Sequence, residues 1–210
     1  MNWSRIGLDR WVASQYLERI DAPVEGALAV PVFSQNDPRW KNVRLGTSGT
    51  TIGWNGCLID CIAMILRFYG YDYDPATLNA YLTANGGYAN GNLLYWGKVP
   101  HLQIAAWHDC MDIPAPLSRI DAELALGRPC VVHVDFYPST NPIDEHYVLI
   151  IGKLADEDYV FIDSWDGFVG SFKSRYVNPN RYIFRIVSYK KAAIYSASTC
   201  PAICNHSMEA

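Results

Sequence analysis

The spacing of apolar residues changes character along the chain. Behind Asn55-Gly56, apolar residues at 58, 62, 65, 66 and 69 keep one helical face, and Gly70 closes it. A second helix is punctuated by Asp74 as N-cap, Pro75 at the first helical position and Asn85-Gly86-Gly87 as stop. Residues 91–98 read as a further short helix, and Ser118 with Asp121 opens one that runs through Leu126 to Gly127. After that the period shortens to that of strands, over 130–136, 146–152, 159–163 and 181–187. Ahead of the first helix, 28–34 reads as a short strand. Residues 35–52, polar and rich in Gly, Thr and Asn, form a long loop of the kind that often carries function. Helices first and strands afterwards predict an α+β fold, with the helices packed against an antiparallel sheet.

Composition narrows this to one main domain. Half of the 210 residues are apolar, enough for a single core of ordinary size, and only 18% are charged, which argues against long disordered tracts. The main domain is placed at 28–190, with a β-rich segment at 1–22 and an irregular tail at 191–210. A net charge of −4, with no basic run longer than Lys190-Lys191, argues against nucleic acid as partner. No apolar stretch approaches the ~20 residues of a membrane span. The N-terminus has no apolar core of a signal peptide, so the cytoplasm and the cell wall both stay open as places of action. Six cysteines (57, 61, 110, 130, 200, 204) are too sparse for a disulfide scaffold. Cys200, Cys204 and His206 share an irregular tail, where a disulfide or no site at all is expected rather than a metal. There is no H-E-x-x-H and no paired C-x-x-C, so neither metal nor cofactor is expected.

The residues suited to chemistry begin with Cys57. It follows a Gly-containing turn and opens an apolar helix, where free N–H groups and the helix dipole favour a thiolate and can hold an oxyanion. Cys61, one turn further in, reads as core. A thiol nucleophile needs a base and a group that orients the base. Of five histidines, His101, His108 and His206 lie in loops or between elements, and His133 lies mid-strand among valines. His146 opens a strand after a polar loop, at a sheet rim. Asp163 closes the next strand, so a hairpin pairing sets it at the same end as His146, where it can fix the imidazole tautomer. Asp166 is an alternative within the Trp165-Asp166-Gly167 turn.

Gly56-Cys57 before a helix ending in Tyr69-Gly70, Gly127-Arg128-Pro129 before a β run, His146-Tyr147-Val148 and Ile162-Asp163 together resemble the C39-like branch of papain-like cysteine peptidases, over roughly residues 28–187. The resemblance implies a papain-like fold, with Cys57 as nucleophile, His146 as general base and then acid, and Asp163 as the orienting group. It also implies an upstream Gln as oxyanion donor. Gln35 fills that place if loop 36–52 is an insertion, with Asn55 as the competitor. The bacteriocin-processing branch carries a Gln six residues before the cysteine and a Gly after it. Thr51 and Leu58 stand there here, which argues against a leader peptidase. Residues 11–20, WVASQYLERI, are similar to the closing strand of bacterial SH3-type modules, and the other reading of this segment is an N-terminal hairpin packed on the main domain.

The activity expected from the resemblance is cleavage of a peptide amide, with a peptidoglycan-type substrate suggested by the SH3 likeness. Two other readings stand beside it. Acyl transfer of the transglutaminase type uses the same triad. A non-catalytic peptide- or glycan-binding module would use Trp40, Trp54, Tyr88, Tyr95 and Trp96; separation of Cys57 from His146 or a blocked cleft would favour it.

Overall fold

A computed structural model describes residues 3–5, 11–13, 26–137 and 145–193. Strands β1 (Trp3–Arg5) and β2 (Trp11–Ala13) pair antiparallel. Most residues that carry the SH3 likeness, and Cys200, Cys204 and His206, lie outside the described residues.

The helices come first. A single turn, α1 (Ile52–Asn55), leads through Gly56 into α2 (Cys57–Phe68). From Ile59 to Leu66 every residue of α2 is buried, so this helix is enclosed nearly all round rather than lying on the surface. It ends in a Schellman motif. Tyr71 N–H donates to the Leu66 carbonyl and Gly70 N–H to that of Arg67, with Gly70 at a φ of 89° that a side chain would strain. Next, α3 (Pro75–Ala84) starts as its sequence predicts. The Asp74 carboxylate accepts from Thr77 N–H, and the Thr77 hydroxyl accepts from Asp74 N–H.

Residues 91–98 are not a helix. Strands β3 (Tyr88–Ala89) and β4 (Leu93–Leu94) form a hairpin, followed by a 3-10 turn at Trp96–Lys98. The reason is local: Asn90 and Gly91 both take positive φ, the turn chemistry that an Asn-Gly pair supplies. Residues 28–34 lie outside the sheet, tied to it by Leu28 N–H on the Ile151 carbonyl (2.8 Å).

The sheet is built from β5 (Leu102–Asp109), β6 (Cys130–Asp135), β7 (Glu145–Lys153), β8 (Tyr159–Asp163), β9 (Phe168–Ser171) and β10 (Ile183–Lys191). Its order is β5-β10-β6-β7-β8-β9, with every neighbouring pair antiparallel. Helix α4 (Leu117–Ala125) precedes β6, and the short turns α5 (Lys173–Tyr176) and α6 (Pro179–Tyr182) lie between β9 and β10. Strands β5 and β9 escape the sequence reading. The first is an edge strand with half of its residues exposed and no clean alternation, and the second is interrupted by Gly170.

Both faces of the sheet are covered. Val131, Leu149, Ile151, Ile162 and Val187 join the cluster of α2 and α3. Val132, Val148, Ile150, Phe161 and Ile186 join Ile120 of α4 with Phe172 and Tyr176 at the α5 turn. That is why the central strands are near-continuous in apolar residues instead of alternating. The α+β expectation holds: helices pack on an antiparallel sheet.

Candidate active site

Cys57 is the first residue of α2, and the turn before it can only be glycine. A Cβ on Gly56 would stand 2.4 Å from the Ile52 carbonyl oxygen. One turn further along, the buried Cys61 thiol donates to the Tyr147 carbonyl (3.4 Å). The helix is thus registered against β7 beside His146, and Cys57 sits half-buried in the cleft that His146 also lines.

Register does the same for the other pair. Val148 lies opposite Asp163 in the β7–β8 ladder, and His146 is two residues along on the same face. The result is a contact of 2.8 Å between His146 Nε2 and Asp163 Oδ1. With Nε2 on Asp163, His146 keeps its other ring nitrogen for exchange of a proton with a neighbour in the cleft that Cys57 also lines. Phe136 lies against the imidazole at 4.5 Å between ring centres.

The surrounding charges favour the imidazolium. Burial works against it, but the charge and hydrogen bond of Asp163, together with Cys57, outweigh burial and raise His146 to about 9. Burial also opposes ionisation of Asp163, yet His146, Arg175 and the Trp165 N–H hold that carboxyl well below the usual range. Cys61 and Cys130 are the contrast: burial pushes both thiols up, and neither has a base.

Gln35 is brought to the same place. Its N–H donates to the Ser164 carbonyl (2.7 Å), and its Nε2 donates to the Gly53 carbonyl (3.1 Å), which leaves the second amide N–H uncommitted. Asn36 and Ser34 both donate to the Trp165 carbonyl, so loop 35–52 is tied to the turn after Asp163. Asn55 also lines the cleft but is exposed and accepts from the Thr50 hydroxyl.

These groups open into a cleft of about 650 Å³, walled by Trp54, Trp96, Phe136, Tyr147 and Trp165. The aromatic candidates sort clearly. Trp54 is 73% exposed and, with Trp96, lines the cleft. Trp40 is core, its indole N–H on the Ser34 carbonyl, and the Tyr88 hydroxyl donates to Asn79 Oδ1. Tyr95 is exposed but stands outside the cleft lining.

The carboxylate on His146 is that of Asp163, not Asp166. Asp166 pairs with Arg175, and Arg175 and Tyr176 in turn bond Asp163. The sequence reading missed both residues, because a separation of 12 or 13 positions with no shared period carries no local signal. It also missed Asp60, a fully buried carboxyl on the first turn of α2, neither of whose oxygens has a hydrogen-bond partner among the described residues. Burial drives that acid toward its neutral form. No cluster of His, Cys, Asp or Glu suited to a metal occurs among the described residues, and no described helix is long and apolar enough to cross a membrane.

A helix-borne cysteine facing a histidine and an aspartate on adjacent antiparallel strands is the arrangement of papain-like folds. The chain belongs to the Peptidase C39 like family, whose profile matches residues 27–192, and that membership supports a cysteine peptidase. No curated protein matches the chain.

Proposed function

We propose that the protein cleaves peptide amide bonds, with Cys57 as nucleophile, His146 as base and then acid, and Asp163 as its orienting partner. The observation that carries this reading is the 2.8 Å contact of His146 with the buried Asp163 in the cleft that the Cys57 thiol also lines. The Cys57 thiolate attacks the substrate carbonyl carbon. The carbonyl electrons move to oxygen, and the N–H groups of the α2 start and Gln35 Nε2 donate hydrogen bonds to the oxyanion. The imidazolium gives its proton to the departing amine as the C–N bond breaks. His146 then takes a proton from water as hydroxide adds to the thioester carbon; the C–S bond breaks, the acid leaves, and the Cys57 thiolate is restored beside the protonated His146.

An open cleft with aromatic walls suits a peptide chain rather than a small polar molecule. Peptidoglycan stem peptide is the first substrate class to test, on the SH3 likeness of residues 11–20. The decisive experiment is the rate of iodoacetamide labelling of each cysteine against pH, read by peptide mass spectrometry. Cys57 is expected to label much faster than the buried Cys61, Cys110 and Cys130 at neutral pH, and to lose that advantage in His146→Ala. Labelling of Cys57 no faster than Cys110 would leave a scaffold that binds without cutting.

A further inference from the structure

The four polar contacts of Asp163 divide evenly between its oxygens. Oδ1 receives His146 Nε2 (2.8 Å) and the Trp165 N–H (3.0 Å); Oδ2 receives Arg175 Nη1 (2.6 Å) and the Tyr176 hydroxyl (3.1 Å). The guanidinium is itself held. It donates to both oxygens of Asp166 (3.0 and 2.7 Å) and lies over the Phe168 ring, 4.1 Å from its centre. The turn that presents Arg175 and Tyr176 ends at Val177, a β-branched residue at a φ of 59°. That is a costly conformation for valine, and the surrounding fold must enforce it.

We infer that Arg175 is a positioning residue for the thiol chemistry: with Tyr176 it clamps Oδ2 of Asp163, so that Oδ1 stays aimed at His146. The inference rests on the proposed Cys57–His146–Asp163 reading and adds an outer support to it. A carboxylate on a short side chain can rotate about its last bond, and a bond to one oxygen alone leaves the other free to turn. A planar guanidinium locked on Asp166 and stacked on Phe168 removes that freedom, as lysine would not. Its charge also keeps the fully buried Asp163 ionised.

The test uses the full chain and needs no known substrate. Other ionisable groups near the pair are Asp60 on α2, Glu145 and Arg185 in the cleft, and His133 on β6, and none is altered. Arg175→Lys keeps the charge and loses the fork; Tyr176→Phe removes one hydroxyl and keeps the ring. For each, the acid limb of Cys57 alkylation by iodoacetamide is followed, and His146 deprotonation is followed by imidazole NMR. A loosened Asp163 supports the imidazolium less. The acid limb should therefore rise and the His146 midpoint should fall, by about one pH unit in Arg175→Lys and less in Tyr176→Phe.

Unmoved midpoints in the folded variants would overturn the inference, as would two midpoints moving in the same direction, the mark of a bare charge effect. If Arg175→Lys does not fold, Tyr176→Phe decides alone. A wild-type Cys57 with no fast labelling overturns the underlying catalytic reading instead, and that result is read before either variant is made.

Discussion

His146 and His133 stand on neighbouring strands and are almost equally hidden, 4% and 2% exposed, yet their environments push them in opposite directions. His146 meets Asp163 and Cys57 and is raised to about 9. His133 stacks on Tyr147 and meets the edge of Phe184, and neither ring nitrogen has a hydrogen-bond partner among the described residues. Burial dominates there and lowers its pKa. Burial alone therefore does not make a catalytic base. What sets His146 apart is a buried carboxylate on one ring nitrogen and the opening into the cleft, where β7 begins and β8 ends near the start of α2.

The cysteines repeat the lesson one helical turn apart, and they give the largest expected effect. Cys57→Ala should abolish hydrolysis in a mixed-peptide digest read by mass spectrometry, a loss on the order of 10⁴–10⁶-fold. Cys61→Ala should cost stability and leave the cleavage pattern unchanged. Equal loss of cleavage in two folded variants would erase the distinction between rim and core. Next in size, His146→Ala should lower turnover by about 10²–10⁴-fold, the range for a lost general acid–base.

Asp163→Ala should also unfold the protein more easily, by about 3–5 kcal/mol, because it removes a buried carboxylate on which His146, Arg175, the Tyr176 hydroxyl and the Trp165 N–H all converge. Chemical denaturation measures this; a cost under about 1 kcal/mol would show that Asp166 alone satisfies Arg175.

The rim pair should also be visible in stability against pH. His146 is raised in the fold above its ordinary 6.5, so the folded state holds its proton more tightly. That contribution is complete below about 6.5 and is lost as pH rises through about 9. Asp163 is depressed, so its contribution is present above the ordinary carboxylate range near ~3.9 and fades as pH falls. Urea midpoints between pH ~6 and ~9.5 should decline in wild type and stay flatter in His146→Ala. Parallel declines would assign the alkaline arm to other groups.

Much of this site could be read before the fold was known, for physical reasons. Gly56-Cys57 ahead of an apolar helix, and His146 and Asp163 at the ends of adjacent strands, are local patterns, and pairing two strands is enough to bring the last two together. Arg175 and Tyr176 act from a turn beyond β9, and only the folded chain sets them on Asp163. Asp60 was hidden differently. An acid on the first turn of a helix reads as ordinary dipole compensation, and its burial comes from the packing of α2. The hairpin at 88–94 was legible in Asn90-Gly91, but the neighbouring apolar residues suggested a helix.

The smallest expected effect concerns His133 and tests the core half of the comparison. Below about 6.5 the unfolded chain binds a proton at this residue that the folded chain resists, so the unfolded state gains protons and stability falls as the solution is acidified. His133→Phe removes the titration and both unpartnered nitrogens and keeps a ring to lie against Tyr147 and Phe184. The larger ring costs some overpacking, so near pH ~7 the variant should fall within about 1 kcal/mol of wild type. Near pH ~5 it should be the more stable of the two, because only the wild type loses stability to protonation in the unfolded state. Urea midpoints at the two pH values measure this. A difference between variant and wild type that does not grow on acidification would mean that His133 finds a proton acceptor in the fold, and the contrast with His146 would then be one of degree.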